Sequence, residues 1–258
     1  KKSDEKIEEI VEEKKTELKK KTSDRSVMLK EIREKAEKLK QQISGVKSED
    51  IREELDKKRE LLVSLDDYVK TGIHLGTKVI TPDMKPFVYR RRADSIGVLN
   101  TSMIDDYIKK AINLISKFPS ERIILVCKRE AGWPAARLFE EATGIKTFRK
   151  KYPAGMLTNV QLKEFMEPDM VIIIDSWIDR NALGDAIKTN KEVLMLCDTN
   201  NFLKKAEHII PCNNKSSKSL GLIFWLLARG YLEKRKLPQD NLKSMNTFVG
   251  DDGQMIQA

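Results

Sequence analysis

Past residue 95 the apolar positions fall in short unbroken runs, and each run stops at a cluster of small polar residues. Met170–Ile174 stops at Asp-Ser, Val193–Cys197 at Asp-Thr-Asn-Asn, and His208–Ile210 shortly before Asn-Asn-Lys-Ser-Ser. Runs of this length without alternation predict strands buried on both faces. The segments between and after them repeat with a helical period, as in a parallel sheet with crossover helices. Further strands are expected at Ile123–Cys127 and Lys146–Phe148, and Ser95–Leu99 reads as the first strand of the sheet. Helices are expected at Leu65–Thr71, Ser102–Lys117, Trp133–Ala142, Arg180–Thr189 and Ser216–Leu232. The polar clusters then gather at the carboxyl ends of the strands, where open α/β sheets place their function. Asp, Asn and Ser there can cap the following helices.

The pattern of residues 1–64 is different. Leu29, Ile32, Ala36, Leu39 and Ile43 alternate spacings of three and four, a heptad seam of about two repeats. Lys and Glu are dense, with one glycine and no proline or aromatic residue. Two readings stay open: a charged helical arm of two or three helices, or a solvated arm that orders on a partner. A globular α/β domain is expected over 65–236. The tail, 237–258, shows no period and is expected to be irregular.

Charge adds a partner class. The net charge is +9 with an isoelectric point near 9.3. Residues 1–66 carry 19 basic and 18 acidic groups, so the excess belongs to the globular part, as for a domain that meets a polyanion. Lys85-Pro-Phe-Val-Tyr89-Arg90-Arg91-Arg92 sets three guanidinium groups beside an aromatic ring, a combination suited to RNA phosphates and bases. Arg149-Lys150-Lys151-Tyr152 repeats it in a loop that runs on to Thr158 and Asn159. Lys128 and Arg129 follow a strand, Lys215 and Lys218 lie near the start of the last helix, and together they complete the expected RNA-binding set. Thr158, Asn159, Asn213 and Asn214 could bond phosphate or 2′-hydroxyl groups, but for Asn213 and Asn214 helix capping is the preferred role.

Other chemistry finds little support. Gly72-Ile-His-Leu-Gly-Thr-Lys78 has three residues between its glycines and ends in Thr-Lys, so it fails as a phosphate-binding loop. His74 between Ile73 and Leu75 is expected to be partly buried and structural. Cys127, Cys197 and Cys212 form no Cys-x-x-Cys pair and read as reduced core thiols of a cytosolic protein. Leu220–Ala228 is apolar but far short of the roughly 20 residues that span a bilayer. The rival to RNA binding is an enzyme holding magnesium on Asp175, Asp179 and Asp198. It lacks a phosphate loop or nucleophile–base pair, and helix capping is the alternative for these residues.

Several motifs occur together and in order. They are D-D-Y-V-K-T-G-I-H-L-G-T-K, A-G-M-L-T-N, E-P-D-M-V-I-I-I-D, L-C-D-T-N-N and I-P-C-N-N-K-S-S-K-S-L-G-L-I-F-W-L-L-A-R. From about Leu65 to Leu232 the chain resembles the universal small-subunit ribosomal protein S-two family, in the archaeal and eukaryotic branch that includes ribosomal protein SA. The resemblance implies a three-layer α/β/α sandwich with a mostly parallel, flavodoxin-like sheet. It also implies a non-enzymatic, cofactor-free structural role between head and body of the small subunit, supporting assembly and translation. Its implied partners are small-subunit rRNA and neighbouring ribosomal proteins. Where the family has Asp-Pro-Arg, this chain has Asp175-Ser176-Trp177, which removes a basic group and adds an aromatic one.

Overall fold

The structure, a computed structural model, describes residues 61–203 and 206–250. The arm expected over 1–64 lies outside the described residues up to residue 60. The described elements are helix α1 (Leu65–Thr71), strands β1 (Val88–Arg91) and β2 (Gly97–Leu99), helix α2 (Thr101–Ile115), strand β3 (Ile123–Cys127), helix α3 (Trp133–Thr143), strands β4 (Lys146–Arg149) and β5 (Met170–Ile173), helix α4 (Arg180–Lys188), strands β6 (Glu192–Cys197) and β7 (His208–Pro211), and helices α5 (Ser217–Arg235) and α6 (Met245–Val249).

The five later strands form one sheet in the order β4-β3-β5-β6-β7, parallel throughout. Every residue of β3 and β5 is buried, because helices cover both faces of the sheet. On one face α5 packs against α2 and α3. On the other, α4 packs on β5 and β6, and the hydroxyl of Tyr152 donates to Asp185 of α4 at 3.1 Å, which holds the long β4–β5 connection on that side. This is a three-layer sandwich. Helix α5 is buried along most of its length, at twelve positions from Ser219 to Leu232. A helix enclosed this way carries no clean polar stripe, and its sequence shows none.

Two expectations need correction. The segment from Ser95 does not open the large sheet. Gly97–Leu99 pairs antiparallel with Val88–Arg91 in a separate two-stranded sheet. Its burial alternates, as expected for a ribbon with one face in water, whereas the strands of the large sheet are buried on both faces. Asp94 and Ser95 close the hairpin: Asp94 Oδ1 accepts from Ile96 N at 3.2 Å, and Ser95 takes φ 66°.

The tail is not irregular throughout. Met245–Val249 form a helical turn, capped by Ser244 accepting from the Thr247 N–H and ended by Gly250 in the left-handed region. Phe248 and Val249 are buried against α5. Contact there depends on Gly221, where a Cβ would stand 2.2 Å from the Phe248 carbonyl oxygen. Five residues are too few to show a hydrophobic period, so only the cap residues announced the turn.

Candidate nucleic-acid interface

Because the sheet is parallel, all five strands deliver their following residues to one edge. Cys127 lies opposite Arg149 in the register, so Lys128–Arg129 and Lys150–Lys151 emerge side by side. Ser176–Trp177, Asp198–Phe202 and Asn213–Lys215 emerge from β5, β6 and β7 beyond them.

The innermost layer of this edge is a buried hydrogen-bond network. Arg129 Nη2 pairs with Asp175 Oδ2, and the two side chains are 20% and 5% exposed. Asp175 Oδ1 accepts from Trp177 N at 2.9 Å and Asn201 Nδ2 at 3.1 Å. Asn201 Oδ1 accepts from Asp198 N at 2.9 Å and from Asn214 Nδ2 at 3.3 Å. Asn214 Nδ2 also donates to the carbonyls of Ile174 at 3.1 Å and Leu196 at 3.4 Å. Asp198 accepts from Thr199 N and lies 3.3 Å from Lys215 Nζ. The ends of β3, β5, β6 and β7 are thereby tied together by side chains, with Arg129 Nε and Asn214 Oδ1 buried atoms of the network that make no hydrogen bond among the described residues.

This arrangement settles several residues. Asn214 is wholly buried and joins strand ends rather than capping α5. Asn213 accepts from the Lys215 and Ser216 N–H groups, a turn that leads into α5, whose N-cap Ser216 makes no side-chain bond. The three aspartates do not serve as helix caps. Asp175 and Asp198 are engaged by cations and turn N–H groups. Asp179 precedes α4 without capping it and accepts from the N–H groups of Lys128 at 3.3 Å and Asp175 at 3.4 Å. No cluster of three metal-ligating side chains occurs among the described residues.

Burial pushes the Asp179 carboxyl up to about 7. The two backbone N–H groups oppose the shift, and the charge of Asp175 adds to it. The unfolded carboxyl titrates near 4. Between about pH 4 and 7 the folded chain therefore keeps a proton that the unfolded chain releases, and stability falls as pH rises through that window. Asp179→Asn removes this cost. Its stability relative to the parent should increase from pH 4 to 7 by up to about 4 kcal/mol and level off above. Urea unfolding at pH 4.5 and 8 measures the change; equal differences at both values would contradict it.

The second layer is the hairpin β1–β2, hung on the same edge by residues 72–83. Asn213 N donates to Ile73 O at 2.9 Å, Thr77 N to Thr199 Oγ1 at 2.8 Å, and Thr81 Oγ1 to Asn201 O at 2.8 Å. Gly76 N donates to Gly97 O at 2.9 Å. A Cβ at Gly76 would stand 2.3 Å from Thr199 Cγ2, so this glycine serves a close backbone crossing and not a phosphate. His74 is half-buried. Burial lowers its pKa, a backbone hydrogen bond at Tyr68 opposes this, and neighbouring Arg92 lowers it further.

Exposure sorts the predicted RNA-binding residues. Tyr89, Arg90, Arg91 and Arg92 all project into solvent, Tyr89 at 73%. The register shift between Val88 and Arg90 leaves Tyr89 as an extra residue of the strand, pushed outward by the bulge. Among the described residues β1 has a strand on one side only, so the arginines line an open edge. The Arg92–Asp94 pair, at 3.7 Å and exposed, holds little energy. Lys85, Lys128, Lys151 and Lys218 are exposed. Lys150 is exposed and its ammonium lies 5.5 Å from the Trp133 ring centre, while Arg149 Nη2 stands 3.6 Å from Glu140. Thr158 and Asn159 are exposed within the β4–β5 connection, where the Asn159 side chain accepts from Gln161 N at 3.0 Å. Arg129 differs from the rest, since its guanidinium is taken up by Asp175. Sequence reasoning missed Phe202 and Asn201; the Asn-Asn-Phe step after β6 was their only signal.

Cys127, Cys197 and Cys212 are buried free thiols, and burial pushes Cys127 up to about 12. No described helix is long and apolar enough to cross a membrane.

The family model described as Ribosomal protein S2 matches residues 161–234, which hold β5 through most of α5 and so most of the buried network. The small ribosomal subunit protein uS2 of Nanoarchaeum equitans (strain Kin4-M) is 42% identical over 174 residues, 67% of this chain and 87% of that protein. The protein of the same name from Ignicoccus hospitalis is 38% identical over 177 residues, 68% of this chain and 84% of that protein. Likeness at this level across nearly the whole of two archaeal relatives, with the strand-end residues of the network inside the matched region, shows that the chain belongs to the ribosomal protein uS2 family, a structural and non-enzymatic one.

Proposed function

We propose that this chain is a structural constituent of the small ribosomal subunit, holding rRNA beside neighbouring ribosomal proteins between head and body and supporting subunit assembly and translation in the cytoplasm. The observation that carries the reading is the separation of roles at one edge of the sheet. Buried polar groups bond to one another, and cations and an aromatic side chain stand outside them in solvent. A catalytic centre needs reactive groups open to a substrate. Here the three carboxylates that could have served one are turned inward to cations and N–H groups.

The contact surface we assign consists of Lys85, Tyr89, Arg90, Arg91, Arg92, Lys128, Arg149, Lys150, Lys151, Thr158, Asn159, Lys215 and Lys218. Guanidinium and ammonium groups neutralise phosphates and displace counterions, and exposed aromatic faces accept unstacked bases. Arg129 is left out because its charge is compensated internally. The charged arm over 1–64 is the part of the chain offered to a further partner, and the globular unit over 65–236 is the RNA-binding one. Filter binding of purified small-subunit rRNA over a range of salt tests the reading. Affinity should fall steeply as salt rises. An affinity independent of salt, or no binding at low salt, would refute it.

A further inference from the structure

Trp177 and Phe202 are 57% and 48% exposed, although both follow strands of a tightly bonded edge. Their ring centres are 5.8 Å apart at 59°. Trp177 is held at both ends. Trp177 N donates to Asp175 Oδ1 at 2.9 Å, and the indole Nε1–H donates to Asn200 O at 3.3 Å. Lys215 Nζ reaches the side chain of the same Asn200, at 3.5 Å. The indole and an ammonium group therefore share one anchoring residue, and the Phe202 ring lies against the indole.

We infer that this pair is a stacking platform for one unpaired nucleotide of an RNA strand. The inference rests on the RNA-binding reading above and adds a contact to it. Three observations select this occupant. A standard protein partner covers roughly 800 Å², whereas an aromatic side chain offers roughly 150–250 Å² at most, and next to Trp177 in the chain Ile178 adds a smaller exposed apolar side chain, 37% exposed. The neighbouring groups are an ammonium, an amide and the hydroxyl of Ser176, the surroundings of a base and its sugar–phosphate. The indole is fixed before any ligand arrives, so binding orders little side-chain freedom.

The charge balance makes the contact distinctive. Lys215 lies 3.3 Å from the buried carboxylate of Asp198, which offsets part of its charge. Stacking, and not phosphate neutralisation, is then the main attraction at this point. Removing the ring should weaken binding without altering its salt dependence.

The test uses the full chain and a short labelled adenine-rich single-stranded RNA, with anisotropy measured over a range of salt. Trp177→Ala should weaken binding about tenfold, Phe202→Ala should weaken it less, and Trp177→Phe should restore most of the loss. All three should keep the parental salt slope. Binding by Trp177→Ala equal to the parent overturns the platform, and so does a Phe variant as weak as the Ala variant. The two readings fail separately. If Trp177→Ala binds normally while alanine at Arg90–Arg92 weakens binding, the platform falls and the RNA reading stands, with the pair reassigned to a protein contact. If the parent binds no RNA at low salt, both fall.

Discussion

Replacing Arg129 with methionine should destabilise the domain by about 3–5 kcal/mol. The size follows from what remains, more than from what is removed. Asp175 is almost fully buried at the end of β5, and its two other partners, Trp177 N and Asn201 Nδ2, are neutral donors. Without the guanidinium, its charge stands in a poorly solvated edge with no counter-ion. The double variant Arg129→Met/Asp175→Asn should recover much of the stability, which a double-mutant cycle would read as strong coupling. Urea denaturation of the four proteins at neutral pH measures it. A loss below about 1 kcal/mol, the range of an exposed ion pair, would show that Arg129 is free to act elsewhere.

Alanine at Arg90, Arg91 and Arg92 should have the opposite signature, with stability nearly unchanged and rRNA affinity much reduced. These side chains are exposed on a strand with one open edge, and surface substitutions of this kind shift stability by roughly 0.5 kcal/mol or less. Each phosphate neutralised contributes about 0.9 to the slope of log affinity against log salt on a duplex, and about 0.7 on a single strand. Loss of three contacts should flatten the slope by about 2–3 and lower affinity on the order of 10²-fold near 0.1 M salt, with the deficit closing at high salt. A parental slope in the triple variant would remove the hairpin from the interface. The contrast between Arg129 and Arg90–Arg92 is the practical content of the structure: four arginines alike in sequence, one structural and three facing outward.

Much of the fold was readable because local composition decided it. Ile123–Cys127 is a strand over the limits of its apolar run, Glu192–Cys197 begins one residue before the run Val193–Cys197, and Leu65–Thr71 is a helix between Ser64 and Gly72 as expected. The failures came where a distant partner decided the outcome. Ser95–Leu99 has strand-like residues, but which sheet it joins depends on Val88–Arg91 and on residues 74–77. Met245–Val249 is held by a close approach to Gly221, which no local pattern reveals.

The site was half readable for the same reason. The sequence placed Asp175, Asp198, Asn213 and Asn214 at strand ends, and capping was the local use available to them. Their actual bonds run between strands, as in Asn214 to Ile174 O across forty residues. Trp177 could not be assigned to core or surface from its neighbours in sequence. Its exposure depends on Asn200 and Phe202, which another strand brings to it.

The central claim is that the outer cations of this edge lie on rRNA while the inner network only supports them. Crosslinking assembled small subunits with ultraviolet light, then identifying the peptides joined to RNA, tests it most directly. The account predicts crosslinks in the peptides that carry Tyr89–Arg92 and Arg149–Tyr152, with none at buried Asn201 or Asn214. Subunits that contain the chain but yield no RNA crosslink in either basic segment would contradict it.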